Sequence, residues 1–575
     1  MDRITQSLLT KFSESYELEK LETSEQFEHF CNYSVISKHH KRTFSLYDIH
    51  TGNGGDSAID GCAFIVNGRL ITSVDELNDL CESSGVLDCD IIIVQAKTSS
   101  NFDNKEVAGF FHGVSDFLSE KSTLEQNDDI KKAKEIWDTI IENSPYMLNR
   151  RPNLKVFYVT TGKWVGDKNI SSVLNKQYEN MQREAIFENI SIEMLGANEI
   201  QKLYLESKNK LTTQISFHNR VTLPEMEALG VKEAFLGYVP FAEYIKLIQD
   251  DNETIHSIFD DNVRDFQGEN EVNLRIKETL TEGNYELFCV LNNGVTVVAN
   301  SITATGSKFT LRDYQVVNGC QTSNVLHQCR HFEGIENLSV PLKLIVTTND
   351  EIKAKITLAT NSQTEVKPEQ LESLSSFQRR LELFYDSIPE PKLVHYERRA
   401  QQYHSDSRIK KTQIITIPVQ IKAFASMFLH TPHSVSGYYG TIARNFKEKI
   451  FLQDHKLETY YASGLCHYRL DSLYRNGEID KKYKKIRYQL MLLVRMLVMG
   501  EKLDYLNSNR IMRQSEKLIN VLSNIESSKN VFKDALLIYK QSPLDKNKDR
   551  HKTETETQQL IYTYRSFVKN NKKSY

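Results

Sequence analysis

Three side chains early in the sequence have the types and spacing of a hydrolytic centre. Asp60 opens the run Ile59-Asp60-Gly61-Cys62-Ala63-Phe64-Ile65-Val66, and Gln95 and Lys97 close the run Asp90-Ile91-Ile92-Ile93-Val94-Gln95-Ala96-Lys97. A hard divalent cation takes oxygen ligands. Asp60 offers a carboxylate, Gln95 an amide oxygen and Ala96 a main-chain carbonyl. The Lys97 ammonium can orient and help deprotonate an attacking water, or stabilise charge building on a phosphate. Taken alone, a Gln-x-Lys triplet is equally a strand end whose polar tips reach water. The matching acid on the preceding apolar run favours chemistry.

Such a centre needs two adjacent strands to hold it. Both runs are rich in β-branched residues and bounded by turn signals, which predicts β-strands. Side chains alternate along a strand, so Gln95 and Lys97 share a face and Ala96 turns away. Residues 71–88 between the runs predict an inserted hairpin and helix. The loop Thr51-Gly52-Asn53-Gly54-Gly55-Asp56 leads in, its glycines permitting a tight path. Asp56 there is read as a loop cap in preference to an outer-shell ligand. Upstream, residues 1–19 have helical periodicity. A second helix follows, with Ser24 as its N-cap and Phe27, Phe30 and Val35 as its buried stripe. Downstream, Phe102, Val107, Phe110, Phe111, Val114 and Phe117 mark an amphipathic helix. A helix over 128–143, a strand over 154–161, a helix over 170–187 and a strand over 190–195 follow. This alternation predicts α/β layers around a central mixed sheet, closing at the polar stretch 207–213.

The constellation resembles the PD-(D/E)xK nuclease superfamily, in the Mrr-like branch where Gln replaces the second acid. The resemblance implies a restriction-endonuclease-like α/β/α domain with Asp60, Gln95 and Lys97 as the catalytic set. It also implies Asp60 and Gln95 as ligands to Mg²⁺ or Mn²⁺. It adds Glu28, at the place where such nucleases often set an acid from the first helix beside the metal; a solvated helix-face glutamate is the equal alternative. Two departures stand out. The gap from Asp60 to Gln95 is long, and a neutral amide binds a metal less strongly than a carboxylate.

The second half has a different texture. Amide-rich motifs stand beside apolar runs: Asn262-Val263-Arg264-Asp265, Asn292-Asn293-Gly294, Val317-Asn318-Gly319-Cys320-Gln321-Thr322-Ser323 and Asn361-Ser362-Gln363-Thr364-Glu365-Val366. Turn chemistry accounts for Asn293-Gly294, a strong hairpin signal. It does not account for the recurrence of Gln-Thr. Amides both donate and accept, so clustered Asn and Gln suit a site that reads a polar ligand. These motifs resemble the AIPR family, the abortive-infection phage-resistance proteins, over residues 235–451. Proteins of that family commonly join this domain to an upstream nuclease-like segment. Asn292, Asn293, Asn318, Gln321, Thr322, Asn361 and Gln363 are the expected ligand-binding residues. The Asn-Gly-x-Gln-Thr segment also loosely resembles the DGQHR-type domains of DNA-modification systems.

Further on, His395 to Arg399 and Tyr403 to Lys411 mix cations with rings. That mixture suits a nucleic-acid backbone, with Arg398 and Arg399 on phosphates, or else a solvated loop. Tyr488, Leu492, Arg495 and Met499 fall on one helical line. The basic run from Lys481 to Arg487 reads as a solvated face, and residues 543–557 as a mobile polar stretch.

Composition bounds the rest. The 575 residues carry a formal net charge of −4 with 26% charged and 39% hydrophobic residues, so any nucleic-acid surface must be local. No secretory signal opens the sequence, and the apolar run 490–499 contains Arg495 and is too short to span a bilayer. Eight cysteines without Cys-x-x-Cys spacing fit reduced thiols in the cytoplasm. No Gly-rich phosphate loop supports a nucleotide-binding regulator. The expectation is an α/β protein of three parts. Residues 1–213 form a nuclease-like domain, 214–451 a mixed α/β AIPR-type recognition domain, and 452–575 a helix-rich C-terminal region. The function expected is that of a cytoplasmic anti-phage protein, an Mg-dependent endonuclease acting on nucleic acid, DNA favoured over RNA. A phage-derived or nucleotide trigger and a homodimer are the expected partners, with no membrane. The alternative is a non-catalytic nucleic-acid-binding or trigger-sensing protein.

Overall fold

The computed structural model describes residues 1–40, 42–52, 54–84, 87–147, 150–208, 211–249, 255, 258, 271–361, 368–390, 392–398, 402–403, 406, 408–437, 441–442, 445–446, 448–543 and 553–571. The first part runs α1 (Arg3–Tyr16), α2 (Thr23–His39), β1 (Gly61–Val66), β2 (Arg69–Ile71), α3 (Val74–Ser84), β3 (Cys89–Lys97), α4 (Asn104–Leu118), α5 (Asp128–Glu142), β4 (Asn153–Thr160), α6 (Lys168–Glu184), β5 (Ile190–Leu195) and α7 (Ala197–Lys208). The strands form one mixed sheet in the order β2-β1-β3-β4-β5. β1 is antiparallel to β2 and β3, while β3, β4 and β5 are parallel.

Strict alternation buries both faces. Cys62, Phe64, Ile91 and Ile93 pack with Phe110, Phe111 and Val114 of α4, Trp137 of α5 and Ile170 of α6. Ala63, Ile65, Ile92, Val94 and Ala96 pack the opposite way, against Phe12 of α1, Phe27 and Phe30 of α2 and Ile200 of α7. The result is an α/β/α sandwich, with Gln95 and Lys97 in phase with the α4 face. Two local readings of the sequence need correction. α2 starts at Thr23 with Glu22 at its N-cap, so Ser24 lies inside the helix. The sequence pattern also gave no sign of α7.

A second sheet of six strands comprises β6 (Thr212–Ser216), β7 (Asn219–Thr222), β8 (Glu233–Pro240), β9 (Val295–Thr305), β10 (Lys308–Asn318) and β11 (Ser339–Val346), in the order β6-β10-β9-β11-β8-β7. Its core face (Val297, Ala299, Phe309, Leu311, Val316, Leu342, Leu344) is covered by the helices Phe241–Ile248 and Cys320–Gln328. Asn293-Gly294 is not a hairpin turn. It joins the helix Phe288–Leu291 to β9. Gly294 has φ +76°, and a Cβ there would stand 2.6 Å from the Pro341 carbonyl oxygen. The residue is required by close backbone approach as well as by its left-handed angle.

The helices of the C-terminal part share one core from Phe377 to Phe567. It joins Ile417–Phe428, Leu457–Arg475, Arg487–Met499, Asn509–Ser523, Ile525–Gln541 and Glu554–Asn571. Arg495 is fully buried within it, donating to the carbonyls of Met427 (2.9 Å), Gly500 (2.8 Å) and Glu501 (3.1 Å). Of the stretch expected to be mobile, 544–552 lies outside the described residues. From Glu554 on, the chain is helical, and Glu556 and Thr557 are buried.

The inserted excursion docks the first part onto the helical one. Glu76 of α3 pairs with Lys422 at 2.7 Å, both side chains largely buried, and Ser73 donates to the Ser436 carbonyl at 3.0 Å. On another side, Glu17 accepts from Arg475 and Thr412 (2.7 and 2.8 Å) and pairs with Lys410 at 3.4 Å. All eight cysteines are free thiols. Among the described residues, no helix is long and apolar enough to cross a membrane.

Candidate active site

The Gly61–Val94 pairing of β1 with β3 continues by one residue to set Asp60 opposite Gln95. Asp60 Oδ2 accepts from Gln95 Nε2 at 2.6 Å and from the Ala96 backbone N–H at 2.8 Å. The Asp60 backbone is fixed as well. Its N–H donates to the Val94 carbonyl, and its own carbonyl accepts from Asn32 Nδ2 at 2.8 Å and from the Thr51 N–H. Gly61 makes room for Asn32: a Cβ there would meet the Asn32 amide at 2.3 Å. The loop before Asp60 turns through positive φ at Gly54, Gly55, Ser57 and Ala58. Asp56 acts as its cap, accepting from the Ala58 N–H at 2.9 Å. Left-handed angles at two non-glycine residues cost energy, and such strain persists only where the surroundings impose it. α4 imposes it here, since a Cβ on Gly113 would stand 1.7 Å from the Ser57 carbonyl oxygen.

Glu28 reaches this sheet end from α2. Its Oε2 lies 3.1 Å from His50 Nε2, and the His50 ring stacks on His29 with centroids 4.1 Å apart. A Cβ on Gly52 would stand 2.7 Å from Glu28 Oε2, so that glycine leaves space for the carboxylate. Burial, the Glu25 charge and the Asp56 charge push Glu28 up to about 7, against the pull of Lys97. Burial and the Glu28 charge push Asp60 up to about 7, opposed by the Ala96 N–H and by Lys97. The two acids and the lysine therefore act on one another across one small space. Burial drives His50 down to about 4, so the imidazole beside Glu28 is neutral at pH 7.

These groups fit a hard cation. Gln95 is 1% exposed, and its Oε1 is buried and has no hydrogen-bond partner among the described residues. A buried acceptor left unpaired is costly unless something fills it. Glu28 raises the Asp60 pKa, and a carboxylate so crowded by another favours a positive charge beside it. The set is two acids and an amide: among the described residues, no cluster of three or more His, Cys, Asp or Glu is placed to hold a metal. Lys97 is half-buried and, among the described residues, has no hydrogen bond or ion pair. Asn32, His29, His50 and Tyr158, which stands beside Gln95 on β4, escaped the sequence reading. The signal available for Asn32 was its spacing: Glu28 and Asn32 are four apart on one helix face.

The amide motifs of the second half also converge. Asn318 pairs in register with Thr296, just after Asn292-Asn293-Gly294. Gly319, at φ +99°, packs against Val295, 2.7 Å from where its Cβ would be. Asn318 Nδ2 donates to the Thr360 carbonyl, one residue before Asn361. Three motifs thus meet at one end of the second sheet. Asn293 is exposed, Asn292, Asn318 and Gln321 are half-buried, and Thr322 is buried. Residues 259–538 match the family described as AIPR protein. The AIPR match spans just under half of the chain. It takes in all four motifs and runs past residue 451 into the helix Ile525–Gln541. It supports the AIPR resemblance, and with it the abortive-infection class of phage defence. The α/β/α part lies upstream of the AIPR match. No curated protein and no solved structure matches the chain.

Other expected residues are placed differently. Arg398 is largely buried and donates to Glu382 at 2.7 Å, so its charge is matched inside the AIPR region. Asn262 to Asp265, the side chain of Asn361, Gln363 and Arg399 lie outside the described residues. The basic run 481–487 is a solvated face only in part, at the exposed Lys482 and Lys485. It packs on the first part, with Lys484 Nζ 4.0 Å and Lys481 Nζ 5.3 Å from the centroid of the Tyr47 ring. Stem methylenes and a cation over an aromatic face explain how a charged run can be buried at a contact.

Proposed function

We propose that the chain is a metal-dependent nuclease of an abortive-infection system. Its α/β/α part hydrolyses phosphodiester bonds in nucleic acid, DNA in preference to RNA, and its AIPR region holds the trigger or substrate that licenses cutting. The observation that carries this reading is the meeting of Asp60, Gln95, Glu28 and Lys97 at one sheet end, with Gln95 Oε1 buried and, among the described residues, without a hydrogen-bond donor. Asp60 and Gln95 would hold Mg²⁺ or Mn²⁺, which would supply Lewis-acid charge against the phosphate oxygens. Lys97 orients the attacking water and faces the charge that develops on the scissile phosphate. Glu28, near neutrality in its pKa, can take a proton at physiological pH. His50 holds the Glu28 carboxylate in place.

The test is a digestion panel with the purified full chain, using single- and double-stranded DNA and RNA with and without Mg²⁺. Cleavage that appears only with the metal, on at least one substrate, is expected. Binding without cleavage on every substrate would move the chain to the class of nucleic-acid sensors.

A further inference from the structure

The basic run of the helical part sits beside the candidate centre through a continuous series of contacts. Lys484 lies 4.0 Å over Tyr47, the Tyr47 and His29 rings are 5.4 Å apart, His29 stacks on His50 at 4.1 Å, and His50 reaches Glu28 at 3.1 Å. Lys481 shares the Tyr47 ring and lies 3.5 Å from Glu25 Oε1. Lys484 has no carboxylate within ion-pair distance among the described residues. Such a cation, packed on a ring and largely buried, lacks the partner that burial of charge ordinarily demands.

We propose that Lys481 and Lys484 form a phosphate subsite, with the Tyr47 ring as its platform. There the helical part of the chain grips the backbone of the nucleic acid presented to Asp60 and Lys97. A phosphodiester is the anion whose chemistry fits: it is carried past a hydrolytic centre at regular intervals, and an ammonium meets it as a point charge. Rings beside cations are the usual furniture of single-strand tracks, where bases stack and phosphates pair. The local field agrees. Burial and the Arg487 charge drive Lys484 down to about 8, more than Asp471, Asp48 and Asp129 restore, so an added anion there is favoured. After burial, the main cause, the same two lysines help to hold His29 well below its ordinary range. The proposal rests on the nuclease reading for its substrate, but its test does not depend on cleavage.

The experiment measures binding of the full chain, in EDTA, to fluorescein-labelled DNA and RNA 30-mers, each single- and double-stranded, by anisotropy across a NaCl series. The variants are Lys481→Gln/Lys484→Gln, which keep the stems, and Lys481→Arg/Lys484→Arg, which keep the charge. Thermal unfolding of each confirms an intact fold. The Gln pair should weaken binding about tenfold or more and flatten the salt dependence by about 1.5 in log–log slope, as expected for two lost phosphate contacts. The Arg pair should bind as the parent does. Equal affinity and slope for the parent and the Gln pair would overturn the subsite, as would absence of binding by the parent. If the parent cuts but the Gln pair binds normally, the nuclease reading stands and the subsite falls. If the Gln pair loses binding but no chain cuts, the subsite stands and the nuclease reading falls.

Discussion

Gln95 donates to the acid it stands beside, and Asp60 carries a charge that the fold resists. Asp60 is pushed up to about 7, chiefly by burial and by Glu28, against about 3.9 in an unfolded chain. The folded state therefore holds that proton more tightly. The stability Asp60 contributes is full below pH about 4 and is lost as pH rises to about 7. Asp60→Asn keeps an acceptor for Gln95 and Ala96 without the charge. In metal-free buffer it should melt higher than the parent at pH about 8 and equal to it near pH 4, each kcal/mol showing as about 1 °C in a chain of this length that melts as one unit. A pH-independent difference would contradict the assignment. Gln95→Glu removes a 2.6 Å donor and sets a third acid beside Asp60 and Glu28. It should melt lower than the parent without metal, bind Mn²⁺ more tightly in a calorimetric titration and retain activity; unchanged affinity would mean Gln95 is not a ligand. Asp60, Gln95 and Lys97 could be read from the sequence because strand alternation fixes which side chains share a face. His50 and Asn32 could not, since their parts depend on how a loop and a helix pack on that strand end.

α3 shows how an apparent departure in sequence becomes an element with a task. The long gap between Asp60 and Gln95 is filled by β2 and α3, and α3 carries Glu76 onto Lys422. The composition of residues 71–88 revealed a hairpin and helix, but a docking surface is set by its partner, here more than 300 residues away, which local pattern does not encode. The amide motifs behave alike: they stand far apart in sequence, and the register of β9 with β10 brings Asn318 beside Thr296. Gln321→Ala, at the start of the helix Cys320–Gln328, should leave thermal stability and metal binding unchanged yet abolish protection against phage in cells. Full protection by a normally folded Gln321→Ala protein would return these motifs to turn chemistry. The Asn293-Gly294 hairpin expected from the sequence failed because the positive φ at Gly294 serves a backbone crossing at Pro341.

The α/β/α part and the helical part are held by a few largely buried ion pairs, so the two should lose stability together. Arg475 is nearly buried against Glu17. Glu17→Ala strands that guanidinium and should cost about 1.5–3 kcal/mol. Adding Arg475→Ala should not add the same cost again, because the two residues share one interaction. A strictly additive urea-denaturation cycle would show that the pair does not join the parts. The layered class was legible from end to end, because periods of 2 and 3.6 mark strands and helices. The placement of the basic run 481–487 was not: a charge run signals solvent unless a ring and an acid are brought to meet it, as Tyr47 and Glu25 are here. The central claim is that this assembly cuts nucleic acid at the sheet end of Asp60 and Lys97. Its most direct test is the Mg²⁺-dependent cleavage rate of the purified chain beside Asp60→Ala and Lys97→Ala, each checked for an intact fold. The parent should cleave, and each variant should lose about a hundredfold or more in rate. A folded Asp60→Ala or Lys97→Ala protein that cuts at the parent rate would contradict it.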